Sequence, residues 1–301
     1  MLSGYIKKEG IYGSPRSGSA IGCALLNAFT RYLPTGWQDK VLDIAETAAR
    51  YLDKTKEDSW DQRPEDSSLD SIDIPEDYIM IFNESYNLPH GAKVEMSFNR
   101  THRIINYKGT RMGVIGVPRG QEESAILTDA LCRGGARNFY YVGSAGGISE
   151  NLEPGDLFYA AGDVGTRSPI PAIYRSHTKV SEELNDALGE ASHGLDIPLK
   201  EGRIYDTCGF LREETPGRVD ELLSEGYDAL EMELGAICAV ANSYGGSATG
   251  IMRVVDHLRD EHGERLNSGK KAHYVSSLRN AILGSRLAAE AIHQKNSPRH
   301  E

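Results

Sequence analysis

From Tyr78 onward the chain alternates short apolar runs with longer amphipathic segments, and that alternation restricts it to very few architectures. The predicted strands are residues 78–83, 111–117, 138–144, 156–161, 202–207, 229–232 and 249–255. The predicted helices are residues 122–133, 181–193, 216–225, 234–244 and 271–294. Strands that are apolar on both sides and are joined by helices need cover on both faces, so the expectation is an α/β domain with a central mixed β-sheet flanked by helices. In such folds ligands sit where strands end and loops turn outward. Functional residues are therefore expected just after the strands.

The first quarter of the chain has a different texture. Val41, Leu42, Ala45, Ala48, Ala49 and Leu52 recur at helical spacing, which marks residues 1–56 as a mostly helical N-terminal extension. Residues 57–77 are rich in Asp, Glu, Ser and Pro and read as an acidic linker or loop. The α/β domain then occupies 78–301. With 44 acidic against 33 basic side chains the net charge is −11, and no Lys/Arg cluster offsets it. Such a surface repels a nucleic-acid backbone or an anionic membrane, so the expected partner is a small molecule. Cys23, Cys132, Cys208 and Cys238 form no C-x-x-C pair. Together with the lack of an apolar run long enough to span a bilayer, this predicts a cytoplasmic protein without a metal centre.

Three strand ends carry candidate chemistry. Tyr141-Val142-Gly143-Ser144-Ala145-Gly146-Gly147 reads as a strand running into a turn of small residues, whose backbone can approach a ligand; glycine also ends strands for steric reasons alone. Glu231-Met232-Glu233 places two carboxylates at a strand end, on one side if the strand persists. A carboxylate there can accept hydrogen bonds from two neighbouring sugar hydroxyls, or lie solvated in a loop. Asp256 follows an apolar run, where desolvation would suit it to general acid work; a helix N-cap is the other use of an Asp so placed.

Taken in this order and spacing, these elements resemble the nucleoside phosphorylase family. That family contains hexameric purine nucleoside phosphorylases, uridine phosphorylases and methylthioadenosine/S-adenosylhomocysteine nucleosidases. The similarity runs from about residue 78 to 292 and includes VIGVPRGQEESAILTDAL at 114–131, with Gly120 in its glycine loop. It implies a single three-layer phosphorylase/hydrolase-like domain. It further implies that Glu233 binds the ribose 2′- and 3′-hydroxyls and that Met232 packs on the sugar, with Glu231, Gly143 and Tyr141 lining the site. Ser144 would face phosphate or the attacking water, Asp256 would meet the departing base, and Phe210 would stack on it. Lys270 falls where some relatives bring a cation toward that acid. Such enzymes require no cofactor beyond inorganic phosphate as co-substrate, and they assemble as hexamers or dimers. Arg100 and His102 are the candidates for a loop lent to a neighbouring subunit.

The pattern departs from the family at its anion site. Tyr141 stands where an arginine usually precedes the serine, and Phe82-Asn83-Glu84-Ser85-Tyr86-Asn87 replaces a Gly-Asp-Pro-x-x-Arg turn. Arg119 and Arg100 are the cations that remain near a phosphate, whereas Glu84 lies where nucleosidases keep a water-activating carboxylate. The resemblance thus implies cleavage of a nucleoside N-glycosidic bond by phosphorolysis, with a purine favoured by the Asp256-His257 pair. Hydrolysis and a non-catalytic nucleoside-binding module are the alternatives. No G-x-G-x-x-G follows the first strand, which disfavours a dinucleotide-dependent oxidoreductase.

Overall fold

The computed structural model describes residues 74–82, 88–98, 101–208, 215–258 and 270–297, with side chains of the last stretch from 282. The predicted N-terminal extension and nearly all of the acidic linker lie outside these residues. Strand β1 (Asp77–Phe82) is buried along its whole length. Its side chains alternate between two cores, Tyr78, Met80 and Phe82 entering one, Ile79 and Ile81 the other. Helices α1 (Gln121–Arg133) and α5 (Leu234–Ser243) cover the first core with Leu131, Cys132, Leu234, Ile237 and Cys238. Helices α3 (Glu182–Leu195) and α6 (Lys270–Asn296) cover the second with Leu184, Leu188, Leu287, Ala288 and Ile292. Burying each such Leu or Ile contributes roughly 1.5–3 kcal/mol, so neither sheet face can be left open. The three-layer α/β arrangement expected from the sequence is the one observed.

Among the described residues one mixed sheet holds eleven strands. Its parallel centre comprises β4 (Thr110–Val117), β1, β5 (Asn138–Gly147) and β11 (Ser247–His257). β3 (His102–Tyr107) and β2 (Lys93–Ser97) extend it antiparallel beyond β4. β6 (Leu157–Ala160) pairs antiparallel with β11 and carries β8 (Lys200–Gly202) at its far edge. β10 (Ala229–Glu231) runs antiparallel to β5 and is followed by β9 (Ile204–Asp206) and β7 (Gly165–Thr166). Two shorter helices, α2 (Ile170–Ile173) and α4 (Pro216–Ser224), complete the described elements.

Strand β5 organises the site because it has different partners along its length. On one edge β11 accompanies it from Asn138 to Gly147. On the other, β1 pairs as far as Val142 and β10 takes over at Gly146. Gly143, Ser144 and Ala145 thus fall between two partners, where no described strand closes that edge.

Four expectations need correction. The Gly-Ser-Ala-Gly-Gly segment is not a turn: β5 continues through Gly147, held by β10 and β11. β10 stops at Glu231, so Glu231 and Glu233 do not share a strand face. Asp256 is neither past the strand end nor at a helix N-cap, since β11 continues to His257. β2 and β3 were not anticipated, because β2 is exposed at every residue and has no apolar run to betray it.

Candidate active site

Glu233 is the N-cap residue of α5 and is only 4 % exposed. Because β10 runs back along β5, the chain leaving Glu231 returns to the level of Gly143 and Tyr141. There Glu233 meets two donors. The Gly120 backbone N–H donates to Oε1 at 2.7 Å, and the Tyr141 hydroxyl donates to Oε2 at 2.8 Å. Gly120 is the N-cap of α1 with φ 109°, a region that side-chain-bearing residues seldom adopt, which explains a glycine here. Gly143 allows the second contact: a Cβ added to it would lie 2.7 Å from the Tyr141 ring. The Tyr141 hydroxyl is held far above its ordinary range by burial and then by the Glu233 charge, so it remains a neutral donor.

Two further carboxyls converge on the first turn of α5. Glu231 accepts from Glu233 N–H at 2.7 Å and from Leu234 N–H at 3.0 Å, so its acceptors are committed to the helix amides. Burial and then the Glu233 charge nevertheless push its carboxyl up to about 8, against the pull of those N–H bonds. Asp206, at the end of β9, is fully buried and accepts from the Gln121 side-chain amide at 2.5 Å. Burial, then the Glu231 charge, hold it well above the carboxylate range. A fourth acid, Glu123, stands in the first turn of α1, where burial and then Glu122 and Glu233 raise it to about 7.

Asp256 comes from the opposite edge of β5. Leu230 of β10 and Asp256 of β11 both pair with Gly146, which sets their Cα atoms roughly 10 Å apart, two strand spacings. The register shifts between Val254 and Asp256, a bulge that re-aims the Asp256 side chain. A Cβ on Gly146 would lie 3.3 Å from Asp256 Oδ1, so the carboxyl leans over the strand. Asp256 is half-buried rather than enclosed. Ser144 and Met232 are half-buried, with Ser144 opposite Arg253 in the β5–β11 register.

Arg119 is exposed in the loop before α1, its guanidinium 5.5 Å from the Phe82 ring centroid. His102 is buried in β3, stacked on Phe98 with ring centroids 4.5 Å apart and 3.3 Å from the Tyr78 hydroxyl. Burial lowers its imidazole to about 4. It therefore belongs to this chain's own core, not to a loop reaching a neighbour. Glu84, Arg100, Phe210 and the Lys270 side chain lie outside the described residues. The sequence reading missed Asp206, Gln121 and Glu123; the only hint was their position at the end of a predicted strand and the start of a predicted helix.

The family model described as the phosphorylase superfamily matches residues 77–288, which contain every element named above except the C-terminal end of α6. A DeoD-type purine nucleoside phosphorylase from Tolumonas auensis is 25% identical over 185 residues, covering 60% of this chain and 77% of its own. One from Vibrio cholerae is 26% identical over 189 residues, covering 61% and 77%. Among solved structures, purine nucleoside phosphorylase from Toxoplasma gondii in complex with immucillin-H superimposes with TM-score 0.60 at 18% identity. Uridine phosphorylase from Vibrio fischeri ES114 does so with TM-score 0.60 at 19% identity. Each of the two structures covers 74% of this chain and 93% of its own. These likenesses, the matched span and the motifs read from the sequence agree: the chain belongs to the phosphorylase superfamily, as one of its nucleoside phosphorylase family.

Proposed function

We propose that the protein cleaves the N-glycosidic bond of a nucleoside by phosphorolysis, releasing free base and ribose 1-phosphate, with a purine preferred over a pyrimidine. The observation that carries this reading is the Glu233 carboxylate, buried and oriented by Gly120 N–H and the Tyr141 hydroxyl beside the open edge of β5. Its two oxygens lie in a fixed plane, suited to accept from the vicinal 2′- and 3′-hydroxyls of a ribose. Bond cleavage places positive charge on the sugar and negative charge on the base. Glu233 acts on the first, and Asp256, across β5, protonates or hydrogen-bonds the second. Ser144 and the exposed Arg119 are the groups assigned to the incoming phosphate. The purine preference rests on the Asp256-His257 pair and on the DeoD-type relatives.

Hydrolysis is the second reading, and one observation favours it. Glu123 stands in the first turn of α1 with its carboxyl near 7, while Tyr141 supplies no positive charge for a phosphate dianion. A carboxyl poised there can take a proton from water. A panel of purine and pyrimidine nucleosides, incubated with and without phosphate, separates the two: ribose 1-phosphate marks phosphorolysis, free ribose marks hydrolysis. Binding without release of any base would leave a nucleoside-binding module and defeat both.

A further inference from the structure

Three carboxyls, Asp206, Glu231 and Glu233, are buried together at the amino end of α5, and only Glu233 has the donors expected of a substrate-facing anion. We propose that Asp206, as a neutral carboxylic acid bonded to Gln121, is a positioning residue that lets Glu233 face the ribose as an anion. The inference rests on the reading of Glu233 as the ribose-binding carboxylate, and it adds a residue that does not touch substrate.

The geometry carries it. The first turn of a helix offers about half a unit of positive charge, enough to favour one anion and not three. Glu231 already occupies the Glu233 and Leu234 amides. Asp206 is wedged against the next residue of the helix: a Cβ on Gly235 would lie 2.6 Å from its Oδ2. Donors reach Asp206 from the Gln121 amide and the Ala236 N–H, while Oδ2 meets none among the described residues. An ionised oxygen buried without a donor is the costliest way to place this group, and a protonated one the least. The ionisable groups around it are Glu231 at the end of β10, Glu233 at the start of α5, Tyr141 on β5 and Cys238 within α5. Glu231 and Glu233 disfavour a charge on Asp206, while Tyr141 and Cys238, both kept neutral by burial, bring no positive charge to offset it. The direction of its shift, well above the carboxylate range, agrees.

The sign of the pH dependence follows. A carboxyl that is protonated when folded and ionised when unfolded stabilises the fold fully below its unfolded value, near 4. That contribution is lost as pH rises toward its native value. Asp206→Asn keeps the shape and the neutrality without that liability. Its melting temperature should therefore gain on the unsubstituted protein as pH rises from 5 to 8, by about 3 °C or more. Asp206→Ala, which strips Gln121 of its partner, should raise KM for the nucleoside about tenfold with a smaller change in kcat, and Asn should restore most of that loss. In protein carrying ¹³C-labelled Asp carboxyls, a protonated-carboxyl infrared band should persist at pH 7 and vanish in Asp206→Asn. A melting difference that is flat or falls with pH overturns the proposal, as does absence of the band should the Asn variant fail to fold. Glu233→Gln separates the two claims. If it leaves KM unchanged the ribose reading fails; if it raises KM while the Asp206→Asn difference stays flat, only the present proposal fails.

Discussion

Replacing Tyr141 by Phe tests the clasp on Glu233 with one atom. The ring stays where it is, packed over Gly143, because nothing about its volume changes. Only the 2.8 Å hydrogen bond to Glu233 Oε2 disappears. A hydrogen bond to a buried charged group contributes about 1.5–3 kcal/mol, so the carboxylate loses roughly that much of its orientation energy. Gly120 N–H still holds Oε1, while Oε2 loses the hydroxyl that fixes its direction. The loss bears on the interaction with the 2′- and 3′-hydroxyls. It predicts a fall in kcat/KM for a ribonucleoside of roughly 10- to 150-fold, from about 1.4 kcal/mol per factor of ten. The fall should be much smaller for a 2′,3′-dideoxynucleoside, which offers Glu233 nothing to accept from. Because burial keeps the hydroxyl protonated far above neutrality, the ratio should be level between pH 6 and 9. Steady-state kinetics on both substrates provide the measurement. A kcat/KM within twofold of the parent, or an equal loss with the dideoxy substrate, refutes the assignment of Glu233 to the sugar.

Gly120→Ala forces a side chain into φ 109° and sets its Cβ 3.1 Å from Glu123 Oε2, so it should cost about 1–3 kcal/mol of stability and at least tenfold in kcat/KM, readable by thermal melts and kinetics. Glu123→Gln should act through pH: in the parent, phosphate KM rises as Glu123 ionises through about 7, and the Gln variant should hold it level. A phosphate-independent rate that instead climbs through pH 7 and disappears in Glu123→Gln would turn the assignment to hydrolysis. Asp256→Asn should slow base release by about 10²–10⁴-fold, measured by single-turnover release of free base, and an unaltered rate would remove Asp256 from the reaction.

The central layer was legible because burial on both faces leaves an unbroken apolar run, as in β1 and in the first half of β5. The helices α1 and α3 announced themselves by their period, and Lys270–Asn296 by its length. What escaped was set by tertiary partners. Gly143–Gly147 has no local reason to be extended, and only the ladders to β10 and β11 keep it so. The β2–β3 hairpin hides because Val94 and Met96 alternate with Lys93, Glu95 and Ser97 on an exposed edge. At the site, Glu233 could be singled out from its motif, but its partners could not. Gly120 lies 113 residues away and Tyr141 lies 92, so the clasp exists only once the chain leaving β4 and the chain leaving β10 are brought to the middle of β5. Tyr141 looked like a lost arginine and is instead a donor to the carboxylate. Asp206 looked like the tail of a strand, since its character comes from burial beside Glu231, which no local pattern carries.

Because one β-strand is gripped on its two sides by the segments bearing Glu233 and Asp256, the distance between these two carboxyls, the proposed contacts to sugar and base, is a property of backbone pairing. Side-chain choice in the surrounding loops cannot stretch it. A lineage built on this scaffold can therefore exchange one base for another, or one acceptor for another, by rewriting loops while its cleavage machinery keeps a constant gauge. Conversely, a single slip of register along that strand would disable every substrate at once.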